Sequence, residues 1–308
     1  MTVSAAPVET THRSPRPLLL AETLDQLGRG RGDPCHRVTP DGAIWRTSLM
    51  PTGPVTYRLV QTDRHTVACR GWGAGAAEFV TTLPDLLGER DDATGFAPEH
   101  PRLADAHRRF PGLRIPRTGR VFEALVPAIL EQKVHGIAAR ASWRRLVTVY
   151  GEPAPGPAPE GMRVPPSARV WRGVPSWEFH RAGVDPRRAR TVVTAAAVSD
   201  RLEEAAGMDP AAALRRLRAV NGVGEWTAAE VAQRALGDAD ALSVGDFHLA
   251  AMVGWSLLGR PLDDPGMVEY LESVRPHRYR AVRLLSVGGY AVKPKFGPRT
   301  AVTDHRRH

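Results

Sequence analysis

A pair of closely spaced glycines between two helical patterns constrains the fold of this chain more than any other feature. The segment Asn221-Gly-Val-Gly-Glu-Trp226 follows a helical pattern that begins at Asp209-Pro210, an aspartate N-cap before a proline at the first helical position. A second helical pattern covers 226–236. Glycines at 222 and 224 let the backbone turn sharply and approach another molecule closely, because neither carries a Cβ. The segment predicts two helices joined by a tight hairpin.

The same hairpin indicates a binding surface with an acid beside it. A hairpin that opens onto a helix N-terminus presents free N–H groups, which suit a phosphate. Asp246 follows Trp226 by twenty residues, in the segment Val244-Gly-Asp-Phe-His248 at the start of the next helical pattern. Taken singly, Gly-Val-Gly also suits an ordinary helix–helix turn, and Asp246 also suits an N-cap. Together they suggest chemistry on a nucleotide.

Composition indicates a globular protein with an anionic partner. The chain of 308 residues is 42% hydrophobic and 24% charged, and it has no apolar run long enough to span a membrane. Its polar, proline-rich beginning is unlike a secretory signal, so we expect a cytoplasmic protein that does not bind a membrane. The formal charge of +9 favours nucleic acid. The densest basic patch is 291–308, with five basic residues and one acidic, which suits either a DNA backbone or a solvated end.

The patterns along the chain predict an α+β protein. Residues 1–25 are expected to be a disordered tail, 26–118 a small α/β domain, 119–290 a helical domain and 291–308 a basic tail. Alternating segments predict strands at 43–47, 55–60 and 66–69. Residues 152–166 contain six prolines and are expected to form a loop. Helical patterns cover 119–150, 187–206, 209–219, 226–236, 247–258, 265–274 and 277–286.

The segment from Leu217 to Trp255 resembles the helix-hairpin-helix DNA glycosylases, and within them the 3-methyladenine DNA glycosylase II (alkylpurine DNA glycosylase) branch. The resemblance runs from about residue 98 to 290 and extends more loosely back to about 33. The resemblance implies a mainly α-helical helix-hairpin-helix glycosylase domain with a small N-terminal antiparallel α/β domain. The matching segments are Val220-Asn-Gly-Val-Gly-Glu-Trp-Thr-Ala228, Arg234-Ala-Leu-Gly-Asp-Ala-Asp240, Val244-Gly-Asp-Phe-His248, His100-Pro-Arg-Leu103, Arg109-Phe-Pro-Gly-Leu-Arg-Ile-Pro116 and Phe122-Glu-Ala-Leu-Val-Pro-Ala-Ile-Leu-Glu-Gln-Lys-Val134.

The resemblance also implies roles for individual residues. Asp246 would be the catalytic carboxylate, which stabilises positive charge on the sugar as the glycosidic bond breaks. The residues expected to line the base pocket are Trp226, Glu230, Phe122 and His277. Those expected to bind DNA are Gln132, Lys133, Asn221, Gly222, Gly224 and Thr227. Backbone carbonyls of Arg218, Val220 and Val223 are expected to hold Na⁺ or K⁺ when DNA is bound.

One position indicates the type of reaction. Relatives that also cut the strand have a lysine where this chain has Trp226, which favours a monofunctional enzyme that leaves an abasic site. The chain has three lysines, Lys133, Lys293 and Lys295, and Lys133 remains a possible lyase amine. Some relatives carry a four-cysteine iron–sulfur site. This chain has only Cys35 and Cys69, so we expect no such cluster and no other cofactor.

Three positions depart from the pattern of the branch and leave the substrate open. Glu230 stands where a pocket tyrosine is expected and His277 where a tryptophan is expected. Lys133 stands where an apolar or amide residue often fills the gap left by the flipped base. The glutamate suits a cationic base or a solvated face. The histidine suits stacking, hydrogen bonding or capping of the helix that it begins. The reaction class is unaffected by these changes, but the preferred lesion is not determined.

The sequence therefore predicts a monofunctional DNA glycosylase of base excision repair, of the DNA-3-methyladenine glycosylase II type. Its substrates would be alkylated purines in damaged double-stranded DNA, which are bound and hydrolysed by a monomer. One alternative is a glycosylase for a different lesion, such as a deaminated purine or a bulky alkyl adduct. Another is a non-catalytic protein that binds damaged DNA. The retained Asp246 argues against the non-catalytic alternative.

Overall fold

An antiparallel sheet forms the N-terminal core of the computed structural model, which describes residues 6–292. Its strand order is β1-β5-β4-β3-β2, and β3, β4 and β5 confirm the three predicted strands. One face packs against two helices, with the Tyr57 and Phe79 rings stacked 3.9 Å apart between their centroids. The elements are β1 Val8–Arg13, β2 His36–Val38, β3 Ile44–Met50, β4 Gly53–Gln61, β5 Thr66–Trp72, α1 Leu20–Leu24 and α2 Ala76–Leu86.

The prediction that residues 1–25 are disordered is wrong from residue 6 onward. Strand β1 pairs with β5 over its full length, and Leu20 and Leu24 are 3% and 0% exposed. Arg114 also fixes this segment, since its guanidinium donates hydrogen bonds to the Ser14 hydroxyl and to the carbonyls of Arg16 and Pro17. The partners of β1 lie more than fifty residues away, so the local composition gave no sign of them. Residues 1–5 lie outside the described part of the chain, as does most of the predicted basic tail, from residue 293.

The rest of the described chain is mainly helical. The predicted helix at 119–150 is two helices separated by a turn at 131–135, and the proline-rich loop contains a short ladder between β6 Glu152–Pro153 and β7 Arg163–Val164. Asp209 accepts a hydrogen bond from the Ala212 amide, as expected for the N-cap of the first hairpin helix. The helices are α3 Pro101–Arg109, α4 Val121–Leu130, α5 Gly136–Tyr150, α6 Ala168–Gly173, α7 Ser176–Arg181, α8 Pro186–Ala197, α9 Ser199–Glu203, α10 Pro210–Arg218, α11 Glu225–Val231, α12 Leu249–Leu257, α13 Asp264–Leu271 and α14 Arg278–Val287.

These helices bury two hydrophobic cores. In the larger one, α4 is central and its Leu125 and Ile129 are fully buried. The second core joins α3 to α12, α13 and α14. The predicted boundary at 118 therefore differs from the structure, because apolar residues between 96 and 115, among them Phe96, Leu103 and Leu113, pack with the C-terminal helices. The sequence pattern of α3 shows an apolar face but does not show which surface covers it. Among residues 6–292, no helix is long and apolar enough to cross a membrane.

A buried ion pair attaches the segment that precedes α3 to helix α14. The Arg280 guanidinium donates to both oxygens of Asp91, at 2.9 and 2.5 Å, and the two side chains are only 3% and 4% exposed. Asp91 also accepts from the Ile115 amide at 3.0 Å. The pair thus joins the 91–115 segment to the C-terminal core.

Removing one partner of this pair should destabilise the fold strongly. We expect Asp91→Ala to lower the free energy of unfolding by about 3–5 kcal/mol, because it leaves the Arg280 guanidinium buried without a counter-ion. Urea denaturation followed by circular dichroism measures the change. Asp85→Ala is the matched control, since Asp85 pairs with an Arg90 that is 65% exposed, and it should cost less than about 1 kcal/mol. Equal losses in the two variants would contradict the assignment.

Candidate active site at the glycine hairpin

The turn between α10 and α11 requires glycine at 222. Its φ is +92°, and a Cβ there would lie 2.2 Å from the Thr191 hydroxyl oxygen on α8. The Val223 amide closes the turn by donating to the Val220 carbonyl at 3.0 Å. Gln132, in the turn after α4, donates to the Gly222 carbonyl and to the Thr227 hydroxyl, both at 2.9 Å. The hairpin therefore packs against α8 at Gly222 and is hydrogen-bonded to the α4–α5 turn through Gln132.

The other predicted hairpin residues lie on the open side of this turn. Asn221 and Gly224 are exposed, and a Cβ at Gly224 would meet nothing within 4 Å. Gly224 directly precedes α11, whose first-turn amides have no carbonyl partner within the helix. The side chain of Thr227 is buried and already bonded to Gln132, so its hydroxyl serves the hairpin itself. The structure thus brings backbone donors to an accessible edge.

Asp246 lies beside the same helix. Its Oδ1 accepts from the amides of His248 and Leu249 at 2.8 and 3.0 Å, and its Oδ2 accepts from the Trp226 indole nitrogen at 3.3 Å. The carboxylate therefore caps the beginning of α12 and also contacts the predicted pocket residue Trp226. The sequence allowed Asp246 to be either a helix cap or a catalytic carboxylate. The two roles are compatible, because one oxygen bonds to the amides of α12 and the other bonds to Trp226 beside the hairpin.

Glu230 is not solvated, and it takes part in a polar cluster behind Trp226. The Ser243 hydroxyl donates to its Oε1 at 2.6 Å and Arg234 donates to its Oε2 at 2.8 Å. The side chains of Glu230 and Arg234 are 12% and 15% exposed. Burial has the largest single effect on the pKa of Arg234 and lowers it, but Glu230, Tyr279 and Glu131 together outweigh burial and raise that pKa. The guanidinium of Arg234 is therefore held in its charged form.

The cluster extends to the other two cores. Arg234 donates from Nε to the Gln26 carbonyl at 3.1 Å, and the buried Tyr279 hydroxyl donates to the Gln26 side chain. Gln26 belongs to the N-terminal core and Tyr279 to the C-terminal core. Sequence reasoning missed Gln26, Tyr279, Arg234 and Ser243. Only Arg234 had a local signal, because a glutamate and an arginine four residues apart on a helix form a pair.

The structure does not bring two predicted pocket residues to this site. Phe122 is buried at the beginning of α4, ten residues before Gln132, beside the Glu203 carboxylate that accepts from its amide. His277 is 5% exposed, bonds to the Thr94 carbonyl at 3.2 Å and packs edge-on against Phe96, at 5.3 Å between ring centroids. Its side chain does not cap α14 either. Phe122 lies in a segment that matches the branch and packs in the larger core, whereas His277 stands where the branch has a tryptophan and packs against Phe96.

Lys133 lies directly after Gln132 at the edge of the site. It is exposed and has a φ of +52°, the one positive φ of a non-glycine residue between residues 6 and 292. Its backbone therefore adopts a left-handed conformation in the turn before α5. Its role in binding DNA stays a prediction.

The predicted cation ligands are compatible with a monovalent ion. Arg218 ends α10, where carbonyls lack an intrahelical partner, and the Val220 carbonyl accepts one hydrogen bond and retains a second lone pair. Together with the carbonyl of Val223 they form a neutral oxygen donor set, which suits a hard cation. The cation itself stays a prediction.

Comparison with known proteins supports the family resemblance. Two Mycobacterium tuberculosis proteins, each named probable bifunctional transcriptional activator/DNA repair enzyme AlkA, are 33% identical over 259 residues, which is 82% of this chain and 51% of theirs. The chain therefore spans about half the length of the relatives that it matches. No family model matches the sequence.

Solved structures show the fold. The 3-methyladenine DNA glycosylase of Archaeoglobus fulgidus aligns with a TM-score of 0.75 at 18% identity, over 91% of this chain and 98% of that one. The Clostridium acetobutylicum 8-oxoguanine glycosylase/lyase aligns with a TM-score of 0.68 at 14% identity, over 94% and 99%. The predicted α+β class and the resemblance to helix-hairpin-helix glycosylases are confirmed.

The two hairpin glycines should respond differently to substitution. Gly222→Ala should lower the free energy of unfolding by at least about 1–3 kcal/mol, because it places a Cβ on a left-handed backbone and against Thr191. Gly224→Ala should change it by less than about 0.5 kcal/mol, since its φ of −93° suits any residue and its Cβ would meet open space. Urea denaturation of both variants gives the comparison. A Gly222→Ala protein as stable as the wild type would show that the hairpin has a different backbone.

Proposed function

Because the chain has the helix-hairpin-helix glycosylase fold and resembles the 3-methyladenine branch in sequence, we propose that it is a monofunctional DNA glycosylase. Its substrates would be alkylated purines in double-stranded DNA, and its role would be base excision repair. The observation that carries the proposal is the position of Asp246. Its carboxylate is bonded to the indole of Trp226, on the helix that follows the exposed glycine hairpin.

Asp246 supplies the chemistry that base removal needs. Breaking the N-glycosidic bond gives the sugar positive charge, which a nearby carboxylate stabilises while water attacks. The three hydrogen bonds that Asp246 accepts keep its oxygens as acceptors and fix their direction. A carboxylate held in this way needs little reorganisation as charge develops on the sugar.

Trp226 supplies a surface for the extruded base. Alkylation at N3 or N7 makes a purine cationic, and an electron-rich indole attracts a cation above its face. The same positive charge makes the base a good leaving group, so the reaction needs no general acid. Extrusion costs a few kcal/mol, and damaged bases reduce that cost.

The hairpin would hold the DNA backbone next to the extruded nucleotide. Its exposed edge offers amides around Gly224 to a phosphate, and a cation held by the carbonyls of Arg218, Val220 and Val223 would add positive charge toward the same phosphates. The Clostridium acetobutylicum neighbour was solved with double-stranded DNA, and the Schizosaccharomyces pombe 3-methyladenine glycosylase with abasic DNA. These relatives support DNA as the partner.

Monofunctional chemistry follows from the residue at 226. A lyase needs an amine that attacks the sugar, and Trp226 has none. Lys133 is the one lysine in the described part of the chain, and it lies in the turn that contacts the hairpin through Gln132. It would contact the phosphates or the gap in the duplex rather than the sugar.

Replacement of the acid tests the proposal directly. We expect Asp246→Asn to reduce base release from methylated duplex DNA by at least about 10²–10³-fold, because the neutral amide no longer stabilises the cationic sugar. Asparagine still caps a helix, so stability and duplex binding should change little. Strand cleavage would be scored before and after hot alkali, with cuts expected only after alkali.

The matched control is Asp263→Asn, the same change at an aspartate that caps α13. It should retain full activity. Unchanged release by Asp246→Asn would exclude its catalytic role. Cuts without alkali that disappear in Lys133→Gln would identify a lyase. Tight binding of the wild type to damaged duplex without any release would favour a non-catalytic binder.

The open side of the hairpin gives a second test. Gly224→Ala should weaken binding to duplex DNA roughly tenfold, because its Cβ would occupy the space where a phosphate meets the backbone amides. Fluorescence anisotropy with a labelled duplex at fixed salt measures the change. Gly173→Ala, at another exposed glycine with open space around it, is the control and should bind like the wild type. Equal affinities in both variants would move the phosphate contact away from the hairpin.

A further inference from the structure

A carboxylate forms part of the wall beside the proposed base site. Glu230 follows Trp226 by one helical turn, so the two side chains lie on the same face of α11. The loop that leads to Asp246 runs along this face, because Ser243 bonds to Glu230 at 2.6 Å and Asp246 bonds to Trp226 at 3.3 Å. A base that stacks on Trp226 with its sugar at Asp246 therefore lies beside Glu230.

The surrounding hydrogen bonds fix the direction in which Glu230 can bond. Gln233 is 2% exposed and donates from its amide nitrogen to the Ser243 hydroxyl at 2.9 Å. The hydroxyl proton of Ser243 must then point to Glu230. Arg234 donates to the other carboxylate oxygen at 2.8 Å. Both oxygens of Glu230 consequently act as acceptors and are held in place.

The same contacts leave acceptor capacity on each of the two carboxylate oxygens. A carboxylate offers about four lone-pair sites, and Ser243 and Arg234 use one on each oxygen. The remaining pair matches a base edge that carries two neighbouring donors. Guanine has such an edge, with N1–H beside its N2 amino group, and methylation at N7 leaves it intact. Adenine has one donor beside the N1 lone pair, which would face a carboxylate oxygen and be repelled.

We propose that Glu230 selects guanine lesions over adenine lesions by accepting two hydrogen bonds from the Watson–Crick edge of the extruded base. This inference rests on the glycosylase function proposed above and names its preferred substrate class. Ser243 and Arg234 act as positioning residues, since they orient the carboxylate without contacting the base. A flipped base is read on this edge, so the selection operates after extrusion.

The test compares two lesions in one DNA sample. Duplex DNA methylated in vitro contains 7-methylguanine and 3-methyladenine, and chromatography separates the bases that the full chain releases. Each rate is divided by the uncatalysed rate for the same base, which removes differences between leaving groups. The wild type should favour 7-methylguanine. Glu230→Gln should lower the guanine-to-adenine ratio by at least about tenfold, because an amide offers one donor and one acceptor and so matches adenine.

Controls separate selection from folding. Glu204→Gln makes the same change at a half-exposed surface pair with Arg216 and should leave the ratio unchanged. Ser243→Ala keeps the carboxylate but removes one of its two anchors, so it should lower the ratio less than Glu230→Gln does. Glu230→Gln leaves Arg234 without its counter-ion. If that variant fails to fold, the ratio measured for Ser243→Ala tests the proposal.

The outcomes distinguish this inference from the proposed function. Release of both bases with a ratio unchanged in Glu230→Gln and Ser243→Ala would overturn the role of Glu230 and leave the glycosylase intact. A wild type that favours 3-methyladenine would also overturn it. Release of neither base by the wild type would overturn the proposed function, and the inference with it.

Discussion

Among residues 6–292, Arg234 lies where the three largest hydrophobic cores meet, and its contacts determine how the site is assembled. It pairs with Glu230 on its own helical segment and reaches across to the Gln26 carbonyl of the N-terminal core. Tyr279 of the C-terminal core bonds to the same glutamine. Helix α11 therefore has a fixed position relative to both neighbouring cores. Trp226, Glu230 and the loop that carries Asp246 depend on that position.

Buried charges are costly, and their presence at this junction is informative. Replacing a buried ion pair by apolar residues is often neutral or stabilising, so stability alone does not explain the pair of Glu230 and Arg234. A charged pair beside the proposed base site instead gives the wall a fixed pattern of acceptors. An apolar wall would stack on any flat base equally well. Directional hydrogen bonds reject a base whose edge leaves polar groups unpaired.

The two glycines of the hairpin have different roles: Gly222 is needed for folding, and Gly224 is proposed to allow DNA binding. Gly222 faces inward, where α8 leaves no room for a Cβ, while Gly224 faces open space. One side of the hairpin therefore packs against the protein interior, and its other side is open to a partner. Gln132 connects the two sides, because its bonds to Gly222 and Thr227 join the hairpin to the turn that carries Lys133. A partner bound at the hairpin is consequently near that lysine.

The sequence by itself determined the elements whose signals are local. Strands β3, β4 and β5, the Asp209 cap and the glycine hairpin follow from alternation, capping chemistry and backbone freedom within a few residues. The spacing of Trp226 and Asp246 likewise predicted two residues that the structure brings into contact. Only the tertiary structure showed that β1 completes the sheet, that α3 packs with the C-terminal helices, that His277 packs against Phe96 and that Phe122 is buried in the larger core.

The physical reason is the range of the interactions. Gln26 and Tyr279 are 253 residues apart, and no local pattern encodes a hydrogen bond between them. Burial of Glu230 depends in the same way on surfaces contributed by distant segments. The residue types at the site were thus determined by the sequence, whereas the directions of their side chains were decided by packing between the three cores.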